Sequence, residues 1–274
     1  MNAGRGLVAL LTDFGTRDWY VAALKGVIAS RAPRARFIDI THEIPPQDVV
    51  AGAFTLAAAV PWFPTGTVVV AVVDPGVGTD RPVLAAQADG RFLVGPDNGL
   101  LGLALAQAAR RRVVRLTQRR YWLPTISRTF QGRDIMAPVA AYLARGGVLS
   151  RLGPAHRAAA LALPPAVRRR RTVVGRIVHI DGFGNLITNL RADRWLPARR
   201  KMGAAPFFQT APARLVCRRR SAPMVSSYAK GPPRRPVAVV GALGLMEVAV
   251  RNGSAARLLG ARRGDRVTLQ LPRP

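Results

Sequence analysis

Thr67-Val-Val-Val-Ala-Val-Val-Asp74-Pro-Gly-Val-Gly78 is the stretch that decides the fold. Every residue from Thr67 to Val73 except Ala71 is β-branched, which favours a strand, and Asp74-Pro75-Gly76 ends it in a loop. The same pattern recurs along the chain. Leu7–Leu11 is an apolar run that meets Asp13-Phe14-Gly15-Thr16, and Trp19–Arg31 follows with helical spacing. Arg36–Ile40 reads as a second strand, and residues 48–60 as a helix opened by an Asp48 cap and stopped by Pro61. Residues 83–88 and 92–94 flank Asp89-Gly90, a hairpin dipeptide. Helices are expected over 100–109 and 135–144, with a short strand at 113–116 between them. Strands alternating with helices predict an α/β domain with a mostly parallel sheet over residues 1–163.

Past that point the texture changes. Pro164-Pro165-Ala166-Val167 and Arg168–Arg171 read as an extended linker. Short strand-like runs follow at 173–180, 185–188, 214–216, 237–240, 247–250 and 267–271, with few helices between them. Residues 172–274 are therefore expected to form a smaller β domain. Residues 199–208 and 218–235 read as irregular loops.

The chain has 274 residues, 49% of them apolar, with 42 basic and 14 acidic side chains and a formal charge of +28. Residues 138–274 hold 26 of the basic and 4 of the acidic groups, hence +22 of that charge. Such a balance attracts polyanions. Because 39 of the basic residues are Arg, it also reads as a compositional habit of solvated faces, and no nucleic-acid partner is expected. No apolar stretch is long enough for a membrane span, the start of the chain lacks the pattern of a signal peptide, and a cytoplasmic protein is expected. The single Cys217 has no partner for a disulfide, and no metal site is expected.

Scarce acid placed at strand ends is the functional signal, because ligands of α/β sheets bind at the carboxyl ends of the strands. Six aspartates have this placement: Asp13, Asp18, Asp74, Asp97, Asp134 and Asp181. Any of them could instead cap a helix or brace a turn. Asp13 is placed to accept two hydrogen bonds from a vicinal diol such as a ribose. Arg81, seven residues after Asp74, is close enough to pair with it. Gln131-Gly132-Arg133-Asp134 precedes a helix whose free N–H groups could hold a polar ligand.

Leu-Thr-Asp-Phe-Gly-Thr-Arg-Asp at 11–18, Ile-Thr-His-Glu-Ile at 40–44, Val-Asp-Pro-Gly-Val-Gly at 73–78, Gly-Pro-Asp-Asn-Gly-Leu at 95–100, Thr-Phe-Gln-Gly-Arg-Asp at 129–134 and Ile-Asp-Gly-Phe-Gly-Asn-Leu-Ile-Thr-Asn at 180–189 closely resemble the S-adenosylmethionine hydrolases. These are hydroxide adenosyltransferases related to the fluorinase and chlorinase. The resemblance runs through Tyr228 and Gly244–Ala249 and so spans nearly the whole chain. It implies an N-terminal α/β domain, a C-terminal β-barrel-like domain, and a homotrimer whose active site lies between subunits. The implied reaction is attack of water or hydroxide on C5′ of S-adenosylmethionine, a substrate and not a cofactor, giving adenosine and methionine. No cofactor is implied. By resemblance Asp13 binds the ribose, Asp18 and Asp181 lie near the methionine ammonium, and Asn185 contacts the adenine. Asp74 and Arg81 match two members of a water-activating Asp–Arg–His set. The fluorinating relatives carry Tyr where Asp74 stands, so the sequence resembles a hydrolase more than a halogenase.

Two positions depart from the pattern. The family His is Gln131 here, an amide that takes up no proton near neutral pH. Losing a general base costs roughly 10²–10⁴ in rate, whereas losing a water-orienting group costs less. Gly241-Ala242 stands where relatives have Asn-Ser, removing polar groups expected at the methionine end. A binding protein for adenosine or S-adenosylmethionine without turnover is the alternative, and a basic nucleic-acid-binding module a more remote one. Among the histidines, His42 reads as structural, His156 as exposed, and His179 as a strand residue preceding Asp181.

Overall fold

The computed structural model describes residues 4–161, 163–196, 198–199, 207–208 and 213–271. The chain divides into two compact units, Met1–Leu161 and Ala162–Pro274.

In the first unit six strands form one sheet: β1 (Leu7–Thr12), β2 (Arg36–Thr41), β3 (Val68–Val72), β4 (Val83–Ala88), β5 (Arg91–Pro96) and β6 (Arg111–Arg115), in the order β2-β1-β3-β5-β4-β6. The β2–β1, β1–β3 and β3–β5 pairs are parallel; β5–β4 and β4–β6 are antiparallel. The helices are α1 (Tyr20–Arg31), α2 (Val49–Ala59), α3 (Gly102–Gln107) and α4 (Ala137–Ala144). Strand alternation sends Val8, Leu10, Val68 and Val70 into one core with Leu24, Ile28 and Val139, from α1 and α4. Ala9, Leu11, Val69 and Ala71 enter a second core with Leu56 and Leu105, from α2 and α3. Both faces of β1 and β3 are buried, and apart from Thr12 both strands are apolar. Asp48 accepts the Ala51 N–H at 2.9 Å and caps α2. Asp89 (φ 45°) and Gly90 (φ 82°) make the primed turn joining β4 to β5.

The second unit is antiparallel: β7 (Val167–Arg169), β8 (Thr172–Ile180), β9 (Leu186–Arg191), a two-stranded ribbon of β10 (Ala198–Arg199) and β11 (Phe207–Phe208), then β12 (Arg214–Cys217), β13 (Arg220–Pro223), β14 (Pro236–Val240), β15 (Leu245–Val250) and β16 (Arg266–Gln270). Seven strands follow one another as β13-β12-β16-β8-β9-β15-β14. A bridge from Met224, just past β13, to Ala238 on β14 brings the sheet round on itself, nearly closing a barrel. Val173, Ile177, Leu186, Leu215, Met246, Val248 and Leu269 fill its interior.

Several expectations need correction. Residues 168–171 are no linker: β7 pairs with β8 through a turn at Arg170 (φ 50°). The span 218–235 contains β13, a hairpin partner of β12. Its turn residues, Arg218 (φ 48°) and Arg219 (φ 62°), are left-handed without being Gly or Asn, so the hairpin carried no turn signal. A short helix, α6 (Ala255–Leu259), capped by the Ser254 hydroxyl, was also missed; it follows the four-residue α5 (Ala192–Trp195). Residues 200–206, within the expected loop at 199–208, lie outside the described residues.

Candidate functional site

The loop after β3 holds the first part of the site. Asp74 follows that strand directly, and the chain turns back so that Arg81 reaches its carboxylate. Arg81 Nε donates to Asp74 Oδ1 at 2.7 Å, and a second guanidinium nitrogen donates to Oδ2. Both side chains are largely covered, Asp74 6% and Arg81 10% exposed. The same terminal nitrogen of Arg81 also donates to Gln131 Oε1 at 2.7 Å, so Asp74, Arg81 and Gln131 form one connected set. Two backbone features make this possible. Gly78 sits at φ 84°, and a Cβ there would come within 2.7 Å of the Arg128 carbonyl, so only glycine lets the 74–81 loop lie against the segment leading to Gln131. Asn98 Nδ2 donates to the Val73 carbonyl at 2.8 Å and fixes the end of the strand.

A cavity of about 630 Å³ opens beside this set, within the range of small-molecule sites. Asp13, Asp74 and Gln131 all line it, together with Phe14, Tyr20, Gln47 and Phe130. Asp13 Oδ2 accepts the Gln47 N–H at 2.8 Å. Burial pushes the Asp13 carboxyl above its ordinary range; hydrogen bonds from backbone N–H groups draw it back, and the Asp74 carboxylate pushes it further up. Gln47 is itself left-handed (φ 64°), and nothing in the sequence singled it out. Phe14, Tyr20 and Phe130 pack edge-on or tilted, with centroids 5.3–5.8 Å apart. Asp18, in contrast, is exposed before α1 and does not line the cavity.

Asp181 and Asn185 belong to the second unit and are brought together there. Asp181 Oδ1 accepts the Asn185 N–H at 2.8 Å and Oδ2 accepts the Asn185 side-chain amide at 2.9 Å. Tyr228 donates its hydroxyl to Glu247 Oε2 at 2.8 Å. Burial pushes the Glu247 carboxyl up, the Tyr228 hydrogen bond draws it down, and Asp181 pushes it up again. Gly241 abuts this carboxylate: a Cβ at 241 would overlap Glu247 Oε1. The absence of a side chain at 241 is thus tied to the position of Glu247.

The remaining acids are structural. Asp97 accepts the Ala159 N–H at 2.7 Å and lies 2.8 Å from His156 Nε2. His156 is therefore half-buried and held, against the expectation of an exposed ring. Asp134 is fully buried and accepts from Ser127 N at 2.7 Å and Arg133 Nε at 2.6 Å. His42 is buried with Nδ1 2.9 Å from the Thr12 hydroxyl, in the structural place expected. His179 lies half-buried on β8. Among the described residues, no group of three His, Cys, Asp or Glu side chains could hold a metal ion.

Comparison with known proteins accounts for both units. Residues 8–153 match the SAM hydroxide adenosyltransferase N-terminal domain and residues 175–268 its C-terminal domain. The chain is 39% identical over 264 residues to the (R)-S-adenosyl-L-methionine hydrolase of Salinispora tropica, covering 95% of this chain and 96% of that protein. It is 40% identical over 271 residues to the (R)-S-adenosyl-L-methionine hydrolase of Thermus thermophilus, covering 96% and 98%. A fluorinase of an Actinoplanes species is 29% identical over 215 residues, covering 68% and 72%. Among solved structures, an uncharacterized conserved protein from Thermotoga maritima superposes with a TM-score of 0.86 at 30% identity, over 96% of this chain and 99% of that one. A conserved hypothetical protein from Thermus thermophilus gives 0.76 at 38% identity, over 96% and 98%.

Proposed function

We propose, from the premise that this chain belongs to the SAM hydroxide adenosyltransferase family, that it hydrolyses S-adenosylmethionine to adenosine and methionine. The observation that carries this reading is the connected Asp74–Arg81–Gln131 set, whose Asp74 and Gln131 line a nucleoside-sized cavity together with Asp13. Near full-length identity to hydrolases, against a partial and lower match to a fluorinase, supports water over halide as the nucleophile.

The chemistry asks little of the protein. Oxygen of water forms a bond to C5′ while the C5′–S bond breaks, and its electron pair returns to sulfur. The sulfonium leaves as a neutral thioether, so no acid is needed, and the water proton passes to solvent or to a carboxylate. The site has to orient the water and strip it of competing contacts. A carboxylate has about four lone-pair sites, and Arg81 takes two on Asp74, leaving others to accept a water O–H. Because Gln131 presents its oxygen to Arg81, its N–H groups are available to the same water. A water that donates to Asp74 and accepts from Gln131 keeps one lone pair for carbon. Asp13 would accept the ribose hydroxyls.

Asp18 and Asp181 at the methionine ammonium and Asn185 at the adenine complete the reading. The family resemblance, not these residues, implies a homotrimer in which the N-terminal unit of one subunit meets the C-terminal unit of the next. We place the protein in the cytoplasm, where S-adenosylmethionine is made; no helix among the described residues is long and apolar enough to cross a membrane. No cofactor enters the reaction.

The test is product analysis after incubation in ¹⁸O-labelled water. Adenosine labelled at its 5′ oxygen, with methionine in equal amount, is expected. Unlabelled adenosine, or cleavage that yields methylthioadenosine, would overturn it. A second reading, binding without turnover, is favoured by one observation, the amide at 131 in place of a titratable ring. Calorimetric binding of S-adenosylmethionine with no adenosine formed would select it.

A further inference from the structure

The charge that the sequence spreads over its second half is gathered by the strand register of the second unit. Arg266 on β16 pairs directly with Arg176 on β8. On the other side of β16, Cys217 pairs with Val267, which sets the Arg218-Arg219 turn and Arg220 at the same end. The loop before β16 adds Arg262: Gly264 N donates to the Ile177 carbonyl at 2.8 Å and pins that loop to β8. Arg176, Arg218, Arg219, Arg220, Arg262 and Arg266 are all exposed and lie on four adjacent strands, β13, β12, β16 and β8, or in the loops at the Arg266 side of β16.

Asp265, the carboxylate in the loop before β16, is already engaged. Asp265 Oδ2 accepts Arg218 Nε at 3.0 Å and the Arg262 N–H at 2.9 Å. Arg176 turns to the Gly264 carbonyl at 2.8 Å. Like charges directly opposite on neighbouring strands repel, yet Arg266 faces Arg176. Arg218 and Arg219 occupy left-handed backbone, where Asn or Gly would sit without strain. An exposed cross-strand arginine pair beside a turn that holds two arginines in left-handed backbone is a surface whose repulsion an anion would relieve.

We propose that this end of the C-terminal unit binds the sugar-phosphate backbone of double-stranded nucleic acid without sequence preference. Four strands at a spacing of about 4.8 Å span about 14 Å. Along that length a duplex presents roughly eight phosphate charges, comparable to the six guanidinium groups. Guanidinium forks match phosphate oxygens in pairs. A membrane-binding surface would combine such charge with exposed apolar side chains, and none of the exposed large hydrophobic residues lies in 176, 218–220 or 262–266. A duplex partner revises the expectation that the basic surface has none, and it does not depend on the hydrolytic reading.

The experiment is fluorescence anisotropy of a labelled duplex of about 30 base pairs with the full chain, from about 50 to 200 mM salt. Replacing Arg219, Arg220, Arg262 and Arg266 by Ser should flatten the salt slope by about 3–4, at roughly 0.9 for each phosphate no longer neutralised. A control with the same net charge, Arg110, Arg112, Arg119 and Arg120 replaced by Ser, should change the slope by less than about one. Unchanged adenosine release and an unchanged melting curve would show that the variant is folded. Should it not fold, Arg219→Ser with Arg220→Ser should still remove about 2. Equal losses in patch and control variants would overturn the proposal, since bulk charge would then suffice. A parent that fails to bind at about 50 mM salt, or that binds phosphatidylserine vesicles more tightly than the duplex, would overturn it as well.

Discussion

Replacing Gln131 by His, the residue that the resemblance implies at this position, should change turnover little. Arg81 can only donate, so the Gln131 atom 2.7 Å from its guanidinium is the amide oxygen. The amide nitrogen then offers donors to the cavity that Gln131 lines. A neutral imidazole has the same polarity, with a bare nitrogen facing Arg81 and an N–H facing the water. Gln131→His is therefore expected to leave kcat within about tenfold of the parent, with no new inflection near the ordinary histidine pKa of about 6.5. Gln131→Leu removes the donor altogether. A hydrogen bond in such a charged network is worth about 1.5–3 kcal/mol, or roughly 10–150-fold in kcat. The assay is initial rate of adenosine release between about pH 5 and 9 under saturating substrate. A hundredfold gain for Gln131→His, appearing as the ring loses its proton, would refute the reasoning and make position 131 a general base.

Three further outcomes follow from the same geometry. Asp74→Ala should lower kcat by roughly 10²–10⁴ while leaving adenosine affinity by calorimetry nearly intact; urea unfolding should show a loss of about 3–5 kcal/mol, because Arg81 is left buried without its partner. For Asp13, whose carboxyl is held above its ordinary range, substrate affinity should fall as pH drops through that raised value, since only the carboxylate accepts both ribose hydroxyls. The stability sign is opposite: a raised folded pKa favours the fold below the unfolded value and loses that contribution as pH rises, so Asp13→Asn should raise the melting temperature at about pH 7 and not at about pH 3. Gly241→Asn, which supplies the side chain that the resemblance implies, should destabilise by about 1–3 kcal/mol unless Glu247 is shortened as well, because the new Cβ overlaps its carboxylate; a neutral result in the single variant would show that Glu247 moves freely.

How much of this the sequence revealed depended on whether local chemistry declared itself. The Asp48 cap, the Asp89-Gly90 turn and the apolar runs of β1 and β3 use residues whose preferences match their conformations, so they were readable. The β12–β13 hairpin was not, because two arginines occupy a turn that normally needs Gly or Asn. Strand β7 was hidden by the arginine run that forms it. At the site, strand-end position identified Asp13 and Asp74 but could not separate them from Asp97 and Asp134, which brace loops through backbone N–H groups. That difference lies in main-chain donors, 7 residues from Asp134 and 62 from Asp97, and a backbone N–H carries no residue type for a sequence pattern to read. Gln47 and Asn98 act through the backbone and a carbonyl, contacts that leave no compositional trace.

The turn into α4 carries a consequence of its own. Gly132–Met136 is a single π-helical turn, closed by the Ala137 N–H on the Gly132 carbonyl. Such a turn holds one residue more than the α-helix it interrupts, and each helical residue advances the chain by about 100°. Deleting one residue here would leave a regular helix with α4 still packed in its core, but Gln131 would swing about a quarter-turn away from Arg81. The phase of the Gln131 amide against Arg81 is thus set by a one-residue insertion, the smallest genetic step by which such a scaffold could acquire or discard this third partner.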